Sequence, residues 1–464
     1  MFLVCALVCI ANGLVFLREF LFPLRDKDRL LQEFRIIFLA LAMGLVLGNI
    51  AFVAQMKEPS AGIPFEKVTG LNGTLSDDPH LLVSGNGAFT FTMISSRGKD
   101  GLTASASGSI QVFFPQELFD SIKSLGRGSK LFLDGTIIPQ NESRPNDSLR
   151  FSAKSIHVYA DSSWLHSART SVRLAIINSF EYKRWGGLAL ALLLGVRDSL
   201  NNLMTDNYKL SGCSHVLALS GMHLGIISAL VAFILKKPLG LRKASILGAL
   251  LIIAYVFLVG AQASLMRAAI MSVLGTFAMI RGYQRNMLSL LSAAFIMQIV
   301  LFPASALTIS FILSYLALAG ILLFSPMFAE FLKGWLPDIF VASLSASLAA
   351  FFATISVTGI FFGIIRPIGI VAGLFIVPVV TLFMILSIAY FFLQAVPFAN
   401  ELIGKVLDFI YTVLDLMVLE AGKVPGLAVS NNLVLLVVCL LSFVVLFAAY
   451  KKIRHVRMRF VPFT

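Results

Sequence analysis

The feature that most constrains this chain is the recurrence of apolar runs close to 20 residues long, the length that crosses a bilayer as a helix. They fall at 214–235, 244–261, 263–280, 286–303, 307–325, 340–363, 367–391 and 431–450, and two more precede them at 1–22 and 34–55. Hydrocarbon offers no water to backbone N–H and C=O groups, so each run is expected to be a helix. Hydrophobic residues make up 58% of the 464 residues and charged residues only 13%, which excludes an ordinary soluble domain.

The formal net charge of +13 reads first as basic loops on the cytoplasmic side of a membrane. Met1–Phe22 lacks a basic leader and is followed by Arg25, Lys27 and Arg29, so it reads as a membrane anchor rather than a cleaved signal. That loop should be cytoplasmic, which places the N-terminus and the segment after 56 outside. Counting onward puts Lys236, Lys237, Arg242, Lys243, Arg281 and Arg285 inside. The basic tail 451–464 is also inside if the ambiguous run 404–419 crosses, despite its Lys405, Asp408 and Asp415. The expectation is therefore about eleven spans, N-terminus out and C-terminus in. Arg366 then falls outside, against the trend.

Residues 57–161 change character. Gly, Ser, Thr and Asp become common, and β-patterned runs occur at Gly70–Leu75, Ala88–Ile94, Ser109–Phe114, Lys130–Ile138 and Phe151–Tyr159. Phe89, Phe91 and Met93 alternate with Thr90 and Thr92, the period of a half-buried strand. Five strands in so short a stretch suit a small all-β barrel of the OB type, with a β-sandwich as the alternative. The island holds ten Lys or Arg and eleven Asp or Glu, a net of −1, so it is not a basic nucleic-acid-binding domain.

Between 162 and 213 the pattern is mixed. Arg169, Arg173, Lys183 and Arg184 are interleaved with apolar residues, and Leu188–Leu194 is apolar but too short to cross. An amphipathic interfacial helix followed by a short buried or re-entrant piece is expected, with Trp164 and Trp185 at headgroup depth. Cysteines stand singly at 5, 9, 213 and 439, with no disulfide framework and no metal spacing.

Polar groups inside spans are expensive and need a reason. His215, Ser220 and His223 occupy the run 214–235, and on one continuous helix they would share a side. They could line a polar path, bind a metal or form a Ser–His hydrolase. Two histidines without an acid or Cys partner are thin for a metal, and the surroundings of Ser220 are no nucleophile elbow. The plainer reading is that they cross-link helices, with Gly212, Gly221 and Gly225 allowing close packing. Arg267, near the start of 263–280, is the sharpest case: it lines a wet path, or it snorkels or pairs with a carbonyl. Asp408 and Asp415 lie seven apart on one face and either act within the membrane or are simply solvated.

Three blocks carry a resemblance. Leu192-Leu193-Leu194-Gly195 followed by Gly212-x-x-His215-x-Leu217-Ala218-x-Ser220-Gly221-x-His223 is the first. Ser264-Leu265-Met266-Arg267-Ala268-Ala269-Ile270-Met271 is the second, and Phe311-Ile312-Leu313-Ser314-Tyr315-Leu316-Ala317-Leu318-Ala319-Gly320-Ile321 the third. Together they resemble the ComEC family of competence proteins, which carry transforming DNA across the bacterial inner membrane as a single strand. The resemblance covers about 1–400 and implies an extracytoplasmic OB-type domain at 57–161. It assigns His215, Ser220, His223, Ser264, Arg267 and Ser314 to a DNA path, and Gly195, Gly212, Gly221, Gly225, Gly320 and Pro378 to packing. Many members add a metallo-β-lactamase-like domain with an H-x-H-x-D-H cluster; the six histidines here form no such cluster. Phe352-Ala353-Thr354-Ile355-Ser356 replaces the family's Q-L-A-T-x-P region, and the Asn expected before Pro378 is missing.

The resemblance therefore implies a channel without enzymatic activity, metal or cofactor. Its partners would be single-stranded DNA, membrane lipid, a DNA receptor outside and a helicase-type ATPase in the cytoplasm, since the chain carries no P-loop. The alternatives are a transporter of another anionic solute or lipid, and a non-transporting scaffold whose OB-type domain binds partners.

Overall fold

The computed structural model describes residues 59–429 apart from 83–84, 124, 139–149, 161–162, 218, 220, 284–286, 303–304 and 306–307, together with 439, 442, 444 and 445. The expected spans at 1–22 and 34–55, most of 431–450 and the tail 451–464 lie outside the described residues. The chain divides into two compact units, one of residues 55–202 with 257–260, the other of the remainder.

The first unit contains the β domain. Its strands are β1 Val68–Leu75, β2 His80–Leu81, β3 Gly87–Gly98, β4 Thr103–Ser105, β5 Ser109–Phe114, β6 Lys130–Ile138 and β7 Arg150–Ala160. Five of them close a ring: β1 pairs β3, β3 pairs β5, β5 pairs β7, β7 pairs β6, and β6 returns to β1. Every pairing is antiparallel except β5 with β7. A closed ring is a barrel and not two packed sheets, which decides against the sandwich. A one-turn helix, α1 (Phe119–Ile122), sits between β5 and β6 and buries Ile122.

The alternation seen in the sequence becomes the barrel core. Phe89, Phe91 and Met93 point inward with Leu71, Leu75, Ile110, Val112, Phe114, Leu131, Leu133 and Phe151. Each buried aromatic or aliphatic side chain contributes about 1.5–3 kcal/mol. Bulges at Asn72/Gly73 and Asp134/Gly135 add the local twist that lets so few strands close.

Two helices complete this unit: α2 (Trp164–Phe180) and α3 (Gly186–Leu194). All nine residues of α3 are buried. Trp164 is 77% exposed, but Trp185 is 3% exposed and packs edge-on against Phe180 at 5.7 Å. Trp185 is thus a packing residue at the α2–α3 turn, not an interfacial anchor.

The second unit is helical. It runs α4 (Asn202–Leu210), α5 (Ser214–Leu217), α6 (Gly221–Val259), α7 (Ala263–Ile280), α8 (Met287–Leu301), α9 (Ile309–Leu332), α10 (Asp338–Phe362), α11 (Ile368–Phe392) and α12 (Pro397–Gly422). A short antiparallel pair of two-residue strands, β8 (Ile364–Ile365) and β9 (Leu427–Ala428), links the α10 end to the chain after α12. Residues 257–259 at the end of α6 belong to the first unit.

Among the described residues five helical segments are long and apolar enough to cross a membrane: Phe233–Val259, α7, α9, α10 and α11; α8 is apolar but shorter. The protein is thus a multi-pass α-helical membrane protein with a small β-barrel domain. The ambiguous run at 404–419 lies within α12, which buries Leu407, Ile410, Leu414 and Val418 at helical spacing and leaves Asp408 and Asp415 half-buried. Gly320 shows how closely α9 and α10 pack: a Cβ there would lie 2.4 Å from the Ala353 Cβ.

Candidate functional site

The expected single helix from 214 to 235 is broken at its start. α5 makes one turn, Leu219 lies outside both helices, and α6 begins at Gly221. The Leu219 carbonyl accepts the Ser264 hydroxyl at 2.6 Å, a tertiary bond in place of a helical one. His215 and His223 therefore do not share one continuous helix face. His215 is exposed on α5. Ser220 and the side chain of His223 lie outside the described residues.

Gly212 sets up this break. It adopts a left-handed φ of 73°, which an L side chain resists, and its Cα stands against the Gly369 backbone, where a Cβ would approach within 3.0 Å. Nearby, Arg366 donates to the Leu210 carbonyl at 2.9 Å. The basic residue that ran against the topological trend thus caps the end of α4.

Arg267 is the centre of what the segment meets. It is 9% exposed, one turn into α7, and its guanidinium donates to the Ser314 carbonyl on α9. Its Cζ sits 5.8 Å from the Tyr315 ring centroid. Gly221 lies beside it: a Cβ there would come within 2.9 Å of the Arg267 Nη2. The Arg267 Nε is buried and has no hydrogen-bond partner.

The energies explain why an arginine is tolerated here. Placing one in the middle of a span costs about 2.5–3.5 kcal/mol on insertion scales. A hydrogen bond to a charged group returns about 1.5–3 kcal/mol, and a desolvated cation–π contact about 2 kcal/mol. The carbonyl and the ring together offset the insertion cost, and the Nε–H remains for another acceptor.

Gln298 extends the cluster, and no reading of the sequence singled it out. It is fully buried on α8, donates to the Ala263 carbonyl at 3.1 Å and accepts the Tyr315 hydroxyl at 2.9 Å. Its signal was available, since it is the one strongly polar side chain in the apolar run of α8. Phe295, Phe311 and Tyr315 surround it, with centroids 4.6–5.5 Å apart.

The second and third sequence blocks thus meet the end of the first. Ser264 holds the break after α5, Arg267 bridges to α9, and Ser314 takes part through its carbonyl. The packing glycines divide. Gly195 caps α3, and Gly212, Gly221 and Gly320 each stand where a Cβ would crowd a neighbour. Gly225 is exposed, with no atom within 4 Å of a Cβ, and Pro378 is exposed within an unbroken α11. Among the described residues no three His, Cys, Asp or Glu side chains gather to hold a metal.

The first unit holds a different charged cluster. Arg169 on α2 donates Nη1 and Nη2 to the two Asp78 oxygens at 2.7 Å each, and Nε to the Phe257 carbonyl at 2.7 Å. Arg173 adds its charge at 3.6 Å. Burial by itself would raise the Asp78 pKa, but the Arg169 bonds and the Arg173 charge outweigh it and hold the carboxyl below its usual range. Asp198, also near Arg173, goes the other way: burial raises it more than the Leu81 backbone bond, His80 and Arg173 lower it.

Comparison with known proteins places this geometry. A family model described as Competence protein matches residues 192–454. The chain is also similar to ComE operon protein 3 of Bacillus subtilis (strain 168), at 30% identity over 166 residues, which is 35% of this chain and 21% of that protein. The chain thus aligns with about a fifth of that relative's length. The matched region begins in α3 and takes in the Gly212–Gly221 break, the Arg267 cluster and every helix from α4 to α12, so the chain belongs to the competence protein family.

Proposed function

We propose that this protein is an inner-membrane channel that internalises single-stranded transforming DNA in natural competence. The observation that carries the reading is Arg267. It is a buried cation inside an apolar bundle, anchored by a carbonyl and a ring, with an unpartnered Nε and no acid in its own stretch of chain: no Asp or Glu occurs between Asp206 and Glu330. A polyanion cannot enter hydrocarbon and needs such groups along its way.

In this reading the N-terminus and the barrel face outward, the chain crosses about eleven times and the C-terminus is cytoplasmic. The basic loops support this orientation, since the count of spans puts Lys236–Lys243 on the cytoplasmic side. The chain itself performs no hydrolysis. A receptor outside delivers the DNA, a helicase-type ATPase in the cytoplasm draws in the strand, and the complementary strand is degraded elsewhere.

The net charge of −1 on the barrel segment supports a second reading, a transporter of another anionic solute or lipid on the same scaffold. One experiment separates the two. In a naturally competent host, Arg267→Ala should cut uptake of labelled DNA at least tenfold at unchanged membrane abundance, and Arg267→Lys should restore part of it. Wild-type uptake in Arg267→Ala at normal abundance refutes the channel reading. A reporter fused after Gly422 that reads cytoplasmic refutes the topology.

A further inference from the structure

The bend in α6 carries an unusual set of side chains. Gly240 takes φ 75° and ψ 162°, so the helix bends sharply there, two residues after Pro238. Around the bend Lys236, Lys237, Arg242 and Lys243 are all exposed. Arg242 donates to the Ile280 carbonyl at 3.3 Å, which sets the C-terminal end of α7 and its exposed Arg281 beside the bend. That carbonyl end favours cations, which accounts for Arg242 and Arg281. It does not account for the three lysines. Among the described residues Lys236, Lys237 and Lys243 have no acidic partner, and the sequence offers none between Asp206 and Glu330.

The apolar neighbours decide what such cations face. Interleaved with them, Phe233 is 82% exposed, Ile234 59%, Leu239 41% and Leu241 53%. A surface for DNA phosphates would gain nothing from large aliphatic side chains turned outward. A surface lying in the bilayer interface needs both kinds, apolar groups for the acyl boundary and cations for headgroups.

We infer that the bend at Lys236–Lys243 is a docking surface for acidic phospholipids, with Leu239 and Leu241 set into the headgroup–acyl boundary and the three lysines on lipid phosphates. The surface anchors one end of α6 and α7 to anionic lipid. It is separate from the Arg267 cluster, and it stands or falls independently of the channel reading.

The test uses the full chain in detergent, mixed with equal amounts of phosphatidylglycerol and phosphatidylcholine. Lipid retained after gel filtration is counted by mass spectrometry. Wild type should retain phosphatidylglycerol preferentially, and the preference should disappear at about 0.5 M salt without any substitution. Lys236→Gln/Lys237→Gln/Lys243→Gln should reduce it about tenfold. The corresponding triple Lys→Arg variant should keep it, which separates charge from misfolding. Binding of an oligo-dT strand, measured in phosphatidylcholine nanodiscs, should be the same in wild type and the Gln variant. Any other pattern overturns the inference: equal retention of both lipids by wild type, a preference that survives in the Gln variant, or a Gln variant that loses the oligonucleotide.

Discussion

Asp78→Asn should loosen the barrel unit by about 3 kcal/mol. The Asp78 carboxylate accepts both Arg169 Nη groups at 2.7 Å, and the Arg169 side chain is only 4% exposed against 19% for Asp78. Removing one partner of a buried pair costs about 3–5 kcal/mol, because the other charge stays buried without compensation. Here the lower end applies, since Asp78 keeps some access to water and Arg169 retains the Phe257 carbonyl. The loss is nonetheless real, because Arg173 and Arg169 repel each other and lose the carboxylate that both face. Hydrogen exchange of amides in β1 and β3 reads it directly. At tenfold per 1.4 kcal/mol, about 3 kcal/mol accelerates globally protected amides by about two orders of magnitude. An Asp78→Asn/Arg169→Met double variant should recover much of this, since an apolar pair in the same place is close to neutral. Acceleration under about threefold in the single variant refutes the clamp.

The clamp also fixes a pH dependence. In the folded protein Arg169 and Arg173 hold the Asp78 carboxyl below its ordinary value of 3.8. Its contribution is therefore fully present above about pH 4 and is lost as pH falls through the lowered folded value. Asp198 has the opposite sign. Its raised pKa makes it a cost above that value, and the cost fades as pH falls toward 3.8.

Three further outcomes follow from the same packing. Asp198→Asn should leave the melting temperature at pH 7 unchanged or higher, in contrast to Asp78→Asn, and a fall of several degrees contradicts the burial argument. Gly320→Val forces a side chain against Ala353 and the Ala349 carbonyl and should destabilise the bundle by about 1–3 kcal/mol, seen as earlier aggregation on heating in detergent. Gln298→Leu removes the acceptor of the Tyr315 hydroxyl bond and should cost about 1 kcal/mol, most of it recovered in Gln298→Leu/Tyr315→Phe; no recovery means that the two do not act as a pair.

The strands were legible because barrel walls bury alternate residues, and that period is local. The spans 263–280, 286–303, 340–363 and 367–391 match helices to within two residues at each end for the same kind of reason. What failed to show was tertiary. Asp78 and Arg169 stand 91 residues apart, so no window of sequence contains both. The break before Gly221 depends on a hydroxyl 45 residues away taking the Leu219 carbonyl. Trp185 reads as interfacial from its type alone, and only the fold sets it against Phe180.

Two buried arginines show what this difference means for the site. Each of the three Arg169 guanidinium nitrogens donates to a carboxylate or a carbonyl, and Asp78 balances its charge. Arg267 is buried to a similar degree yet has a carbonyl, a ring and an unpartnered Nε, in a stretch from 207 to 329 without a single acid. Pairing Arg267 with a carboxylate would cost the bundle nothing in length or hydropathy, and α12 shows that this protein can carry half-buried aspartates within a long helix. A cation held this way is poorly explained as glue, for which a neutral Gln like the neighbouring Gln298 suffices. In the proposed channel it is a charge kept available for an anion that is only sometimes there.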